Sequence, residues 1–416
     1  MKHILSLGAI VLLIGCTQQQ LPAVIDMPYC DANIILPATE LTQIERTDST
    51  TVLTFTTMYE YRDYFLKVGA GYRLWFGDFS TPMKELVVPG DVDFDGERLA
   101  MPQGVPAQFR MIFAALPKDV ESVDLVQEVN GKVKNAIWGI DLTGKRSPNE
   151  FPAEIPAELL DYNFATGNLP QVVTKEGVVK ITAHAVAWRN WMKHDIEFIV
   201  NTIDDTQESI KAYLNDSGVV TIDIPLKGTA SISAHTPYNT YANFYAEPGE
   251  EINLYILPDN HSETQRYIRP NGVIDGKYRN VKAMEKDFVF YQEDADTLLY
   301  NKTDTNDYFT AMMKIHSDVL DSIQAGNYEA DKEKYARAIV DRHMMYQTLR
   351  PDAYTTDDWR QSYAVMPDSI LRFTPDQLRQ IRESIDFTNP LLEVISIGNP
   401  GSRSRFLKAK ELILAE

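Results

Sequence analysis

Cysteine is nearly absent from this 416-residue chain: Cys16 and Cys30 are the two it has. With Cys16 in the leader segment discussed below, Cys30 alone remains in the body of the protein, which excludes an internal disulfide, a Cys-x-x-Cys redox pair and a thiolate zinc cluster. Positive charge is also short, with 40 Lys and Arg against 59 Asp and Glu for a formal charge of -19. Nucleic acid and anionic lipid surfaces are therefore not expected partners. Long apolar runs are missing beyond the first 15 residues. Reactive motifs are missing too: no Gly-x-Ser-x-Gly, Walker loop, dinucleotide fingerprint or His-Glu-x-x-His occurs, and neither a catalytic residue nor a cofactor is expected.

The apolar run that does exist opens the chain. Lys2 precedes Ile4 to Ile14, and Leu13-Ile14-Gly15-Cys16 leads into Thr17-Gln18-Gln19-Gln20. A single positive charge, a short apolar core and small residues before a cut site make a secretory signal, shorter than the roughly 20 residues a membrane-crossing helix needs. The last four residues resemble a bacterial lipobox, which implies acylation of Cys16 and removal of residues 1–15. Several acyl chains on one cysteine, at about 0.8 kcal/mol per buried methylene, would anchor the protein stably to the membrane. Thr17 stands where an aspartate would favour inner-membrane retention, and no acidic run follows the cysteine. The expectation is an outer-membrane lipoprotein facing the periplasm.

With 44% hydrophobic and 24% charged residues the mature chain is globular, and its length suits two to three domains. After a tether over residues 16–30, strand-like runs fill residues 31–147: Ala32 to Leu36, Val52 to Met58, Tyr64 to Val68, Tyr72 to Phe76, Leu86 to Val88, Ala107 to Leu116, Ser122 to Val126 and Ala136 to Leu142. Short strands at this spacing predict a β-sandwich. Phe109, Met111 and Phe113 share one face of their strand. Cys30 is expected as a small buried apolar residue near a strand start.

Pro148, Pro152, Pro156 and Pro170 then mark a linker over residues 148–177, with a short helix near Glu158 to Tyr162. A second sandwich is expected over residues 178–278, and Asn215-Asp216-Ser217-Gly218 is a strong turn signal inside it. From residue 279 to 416 the period becomes helical. Val281, Met284, Phe288, Tyr291, Ala295 and Leu298 form one stripe; Tyr308, Met312, Ile315 and Val319 a second; Tyr335, Ile339, His343 and Tyr346 a third. Thr374-Pro375-Asp376-Gln377 has the pattern of a capping box, and Leu378, Ile381 and Ile385 follow it as a buried stripe. A last helix is expected from Arg405 to Leu414. The predicted fold class is mainly β with an α-helical C-terminal part: two antiparallel β-sandwich domains followed by a helical segment.

Three places could carry chemistry. Asp91, Asp93 and Asp95, closed by Gly96, match the first half of a calcium loop. Pro102 stands where the bidentate glutamate should be, so an EF-hand is excluded. A hairpin through Asp95-Gly96, flanked by Leu86 to Val88 and Arg98 to Ala100, is the simpler reading. His184, Trp188, Trp191 and His194 gather near a turn, where Trp188 and Trp191 are a candidate ligand-stacking surface for a glycan; two histidines without a third ligand make a poor metal site. His343 on an apolar stripe is expected as a core histidine, and Asp204-Asp205 and Asp357-Asp358 as solvated caps.

The order of parts resembles the N-terminal region of TlpA-like thioredoxin-domain lipoproteins. The resemblance rests on the lipobox, Phe113-Ala114-Ala115-Leu116-Pro117, Ile137-Trp138-Gly139-Ile140, Glu247-Pro248-Gly249-Glu250 before Leu254-Tyr255-Ile256, and Tyr267-Ile268-Arg269-Pro270-Asn271-Gly272. In that family the helical segment leads into a thioredoxin domain whose Cys-x-x-Cys exchanges disulfides, and this sequence contains no such motif. The resemblance implies either a stand-alone binding or scaffold relative, with an envelope protein or a glycan as partner, or a thiol-disulfide oxidoreductase whose active domain is missing. A Cys-x-x-Cys encoded just beyond Glu416 would favour the second.

Overall fold

The computed structural model describes residues 21–415 except 35–38, 60–61, 89–97, 131, 148–149, 161–168, 190, 193, 239–240, 259–271, 279–304, 350–372 and 399. The chain divides into two compact units, with the boundary between Glu150 and Phe151.

The first unit is built from β1 (Val24–Asp26), β2 (Ala32–Ile34), β3 (Thr39–Arg46), β4 (Thr50–Thr57), β5 (Tyr64–Lys67), β6 (Tyr72–Phe76), β7 (Phe79–Pro82), β8 (Glu85–Val87), β9 (Arg98–Met101), β10 (Ala107–Ala114), β11 (Ser122–Val129) and β12 (Lys132–Asp141). One sheet runs β1-β3-β4-β10-β8 and a second β2-β12-β11-β6-β7, with β5-β9 as a separate ribbon. Strands β4 and β10 alternate strictly between buried and less buried positions, so each offers one apolar face. Leu53, Phe55, Phe109, Met111 and Phe113 from the first sheet meet Leu74, Leu125, Ile137 and Ile140 from the second in one core. Phe55 and Phe109 face each other across the β4–β10 ladder and stack with centroids 5.0 Å apart. Each such side chain taken from water stabilises the fold by about 1.5–3 kcal/mol.

Three sequence expectations change in this unit. The tether assigned to residues 16–30 ends earlier, because Val24–Asp26 pairs with β3 and Tyr29 is buried; ladder bonds and an aromatic anchor hold this stretch to the sandwich. The flanks of the expected Asp95-Gly96 hairpin, Leu86 to Val87 and Arg98 to Ala100, are not paired with each other, and the turn itself lies outside the described residues. β8 pairs with β10 and β9 with β5, so the two flanks belong to different sheets. Cys30 is half-buried rather than buried, and packs against the core edge.

The second unit contains β13 (Gly177–Ala185), β14 (Asp195–Thr202), β15 (Gln207–Tyr213), β16 (Val219–Leu226), β17 (Ala230–His235), β18 (Tyr241–Ala246), β19 (Glu251–Ile256) and β20 (Gly272–Asp275). They form sheets ordered β16-β13-β19-β20 and β15-β14-β17-β18. The ladders are antiparallel with one exception: β13 and β19 run parallel, aligning His184 with Tyr255. The chain between these two strands visits both sheets before returning, which supplies the long crossover a parallel pair requires.

The stretch expected as a linker is docked where it is described. Ile155 and Leu159 are buried, with a 3-10 turn at Ala157–Leu159 in place of the predicted short helix. Thr229 ties the rest down: its hydroxyl accepts from the Val173 amide and donates to the Gln171 carbonyl. Proline removes backbone donors from this stretch, and local turns such as Ile155 N to Pro152 O, together with Thr229, satisfy groups that remain.

Helices α1 (Thr305–Ala325), α2 (Ala330–Thr348), α3 (Pro375–Ser384), α4 (Leu391–Ile395) and α5 (Ser402–Leu414) complete the unit, and α2 packs against α1, α4 and α5. Their apolar residues join Tyr245 and Tyr278 of the sandwich in a single core. The capping box forms as predicted. The Thr374 hydroxyl accepts from Gln377 N at 3.3 Å and the Gln377 side chain accepts from Thr374 N at 2.8 Å. The stripes of α1 and α2 are rotated from those predicted. Tyr308, Met312, His316 and Ile323 are buried on α1, and Ile339 and His343 on α2 give way to Ala338, Asp341 and Met345. Two polar side chains that pair with each other, His316 and Asp341, occupy the buried faces and shift the apparent period.

Candidate functional site

The turn after β13 carries the predicted ligand-stacking residues. His184 lies on Tyr255 of β19 with centroids 4.8 Å apart and planes 11° from parallel, as the parallel register dictates. Burial pushes the His184 imidazole down, favouring its neutral form. Trp188 is engaged elsewhere: it meets His194 edge-on at 5.2 Å. Its ring also rests on Gly218, where an added Cβ would stand 2.5 Å from the indole Cγ. Gly218 has φ +73, so the predicted Asn215–Gly218 turn needs glycine for its backbone and for the indole above it. Trp188 and Trp191 are both half-buried. The indole Nε1 of Trp188 is buried and has no hydrogen-bond partner among the described residues. These contacts place three of the four residues in a His184–Tyr255 pair and a Trp188–His194 pair, and no metal-binding cluster occurs among the described residues.

Glu247-Pro248-Gly249-Glu250 links β18 to β19 and brings two carboxyls into contrasting surroundings. Burial pushes Glu247 up, but hydrogen bonds from Lys277 and Tyr278 outweigh it and hold the carboxyl below its ordinary value. The Tyr278 hydroxyl donates to Glu247 Oε2 at 2.6 Å, and burial together with that bond pushes the phenol up to about 12. Glu250 goes the other way. It accepts from the Glu247 amide at 3.0 Å through Oε2, Oε1 is buried without a partner, and burial raises its pKa. One carboxyl held below its ordinary value beside one pushed above it favours a proton on Glu250 over Glu247.

Asp204 and Asp205 occupy the tight turn between β14 and β15. Hydrogen bonds from Lys227, Thr202 and Thr206 hold the Asp204 carboxyl far below the usual carboxylate range. Asp205, at φ +63, turns away to the first turn of α5. Its carboxylate accepts from the amides of Gly401, Arg403 and Ser404 at 3.1–3.2 Å and from the Ser404 hydroxyl. It is a cap, as predicted, but for a helix distant in sequence.

The most buried charge was not predicted. Asp341 is 0% exposed and His316 2% exposed, with Nε2 of the histidine 2.9 Å from Oδ1 of the aspartate. Arg337 Nε donates to both carboxylate oxygens, at 3.2 and 3.0 Å, and the Asp386 amide donates to Oδ2. Arg337 also reaches the Ser384 carbonyl at 2.7 Å. The network joins α1, α2 and the end of α3. The signal for it was the spacing of Arg337 and Asp341, four apart on one helix, with His316 four beyond Met312 on another. Predicted residues Cys16, Asp91, Asp93 and Asp95, the acid pair Asp357-Asp358 and the helix through Val281 to Leu298 lie outside the described residues.

No known protein family matches the chain, and no characterised protein matches it in sequence. Among solved structures, a type I pullulanase from Bacillus subtilis complexed with maltose aligns at 9% identity and a TM-score of 0.18, over 53% of this chain and 24% of the pullulanase. BcpA, the major pilin subunit of Bacillus cereus, aligns at 9% identity and 0.14, over 56% and 69% of the two chains. The full-length major pilin SpaD from Corynebacterium diphtheriae aligns at 10% identity and 0.12, over 53% and 60%. Overlaps this slight carry no inference for the present chain.

Proposed function

We propose that this chain is a lipid-anchored envelope protein that works as a non-catalytic binding or scaffold module. One observation carries the reading: the most strongly engaged polar groups join segments of the fold to one another. Asp205 holds α5, Asp341 joins α1, α2 and α3, and Glu393 pairs with Arg403 and Lys410 between α4 and α5. Groups used in this way brace a surface rather than carry out turnover. The leader ending at Cys16 supports attachment to the outer membrane, with the folded units in the periplasm.

Metabolic labelling with palmitate tests the anchor in cells expressing the full chain. Label on the wild type, and its loss in Cys16→Ala together with release from the membrane fraction, is the expected result. Label retained by Cys16→Ala refutes the anchor, and turnover of any substrate by the purified chain refutes the scaffold reading.

A further inference from the structure

Tyr346 on α2 carries two arginines. Arg342, one turn earlier on the same helix, has its guanidinium carbon 5.8 Å from the Tyr346 ring centroid, and Arg405 of α5 approaches to 5.1 Å. The ring is fixed in place because its hydroxyl donates to the Ser402 carbonyl at 3.0 Å. Cations gathered on an aromatic face are ordinary; their lack of counter-ions is not. Arg337 and Arg403 are paired with Asp341 and Glu393, and Lys410 also with Glu393. Among the described residues neither Arg342 nor Arg405 forms an ion pair, although the chain as a whole has a surplus of acids. Arg342 donates one bond, to the Ile395 carbonyl. The Arg405 side chain makes no hydrogen bond among the described residues. In both, Nε is buried and has no acceptor among the described residues. Buried donors of this kind almost always have partners in native proteins.

The acid that could have neutralised them is committed elsewhere. Asp205 lies close enough to influence Tyr346, but its two oxygens are taken up by the first turn of α5. The amides of that turn are therefore not offered to a ligand, and the unpartnered side chains carry the argument. Counting Arg342, Arg403, Arg405 and Lys410 against Asp205 and Glu393, the neighbourhood is locally positive within an acidic protein, which concentrates small anions there. Arg342 and Arg405 are half-exposed, which leaves their guanidinium ends open to a ligand while each Nε is covered.

We propose that Arg342, Arg405 and Tyr346 form a binding site for an oxyanion, a carboxylate or phosphate group whose oxygens accept from the two guanidinium groups. A guanidinium presents its donors in a rigid planar fork that suits either group, and the tyrosine ring holds the two forks in place. This goes beyond the scaffold reading and does not depend on how the chain is anchored.

Calorimetric titration of the full-length chain with inorganic phosphate, and separately with acetate, each against sodium chloride at matched ionic strength, tests the site. Saturable binding of at least one oxyanion is expected, and the one that saturates identifies the group. Arg405→Gln should raise the dissociation constant at least tenfold, as should Arg342→Gln. Lys408→Gln, which removes an exposed cation from the same helix, should leave it unchanged. Arg342→Gln also removes the bond to Ile395, so circular dichroism accompanies it; Arg405→Gln disturbs no hydrogen bond of the described fold and decides the matter by itself. Absence of saturable binding by either anion, or equal weakening by Lys408→Gln and Arg405→Gln, overturns the site.

Discussion

The carboxylate of Asp205 accepts a hydrogen bond from the backbone amide of Arg403 at 3.1 Å, across 198 positions of sequence. A turn in the second sandwich thereby provides the N-terminal cap of the last helix, and a negative charge there also complements the positive end of the helix dipole. Asp205→Ala should destabilise the second unit by about 1–2 kcal/mol, and Asp205→Asn by less because an acceptor oxygen remains. Hydrogen exchange reads the effect locally: the amides of Arg403 and Ser404 should lose protection in the alanine variant while β13 keeps its own. Unchanged protection at both amides would show that the cap contributes nothing.

Asp341 should be the least replaceable residue of the helices. Its removal leaves His316 buried and Arg337 without its carboxylate, so Asp341→Ala should cost about 3–5 kcal/mol in a urea melt. The paired change Asp341→Leu with His316→Leu should recover part of that loss, since no buried histidine is left without its partner, although the half-exposed Arg337 still lacks its carboxylate. Strictly additive losses would contradict the coupling.

Glu250 supplies a pH dependence whose direction is fixed by burial. Its folded-state pKa lies above the unfolded value, so the associated stability is complete below the unfolded pKa and is lost as pH rises through the folded one. Glu250→Gln should therefore stabilise the fold progressively more as pH increases through that range. Parallel stability curves for variant and wild type between pH 4 and pH 8 would rule the effect out. That interval spans the change from below the ordinary glutamate value, about 4.3, to well above it.

Gly218→Ala tests the packing of Trp188. The left-handed backbone costs an L-residue about 1–2 kcal/mol, and crowding against the indole adds about 1–3 kcal/mol. In a Trp188→Ala background the crowding part should vanish and the backbone part remain. A full penalty persisting there would mean that the indole does not rest on the glycine.

Much of this architecture was legible because period and turn chemistry agree. β4, β6, β10, β17 and the capping box at Thr374 follow directly from alternation, β-branched residues and an N-cap hydroxyl. β3 was not legible: its ladder with β4 slips between Leu41 and Gln43, so Leu41 and Ile44 are both buried at a spacing of three and strict alternation fails. The stripes of α1 and α2 were misplaced because a paired histidine and aspartate fill apolar positions. Of the candidate site, the turn at Gly218 was readable, while the partners of Trp188 were not separable from sequence spacing. That Arg342 and Arg405 have no ion-pair partner among the described residues emerges only from the positions of the described acids.

The parallel ladder between β13 and β19 also sets an order of events for a chain that emerges from its N-terminus. Residues 177–185 cannot complete their sheet until residues 251–256 have appeared, and the β14–β15 turn gains its helix only when residues 401–404 follow. Contacts this distant along the chain slow folding, because loop closure precedes any reward. During synthesis the second unit therefore remains open until almost its last residue has emerged. Its half-made sheets are then the surface that a chaperone would have to shield, whereas the strands of the first unit, all of which precede Glu150, can pair ahead of them.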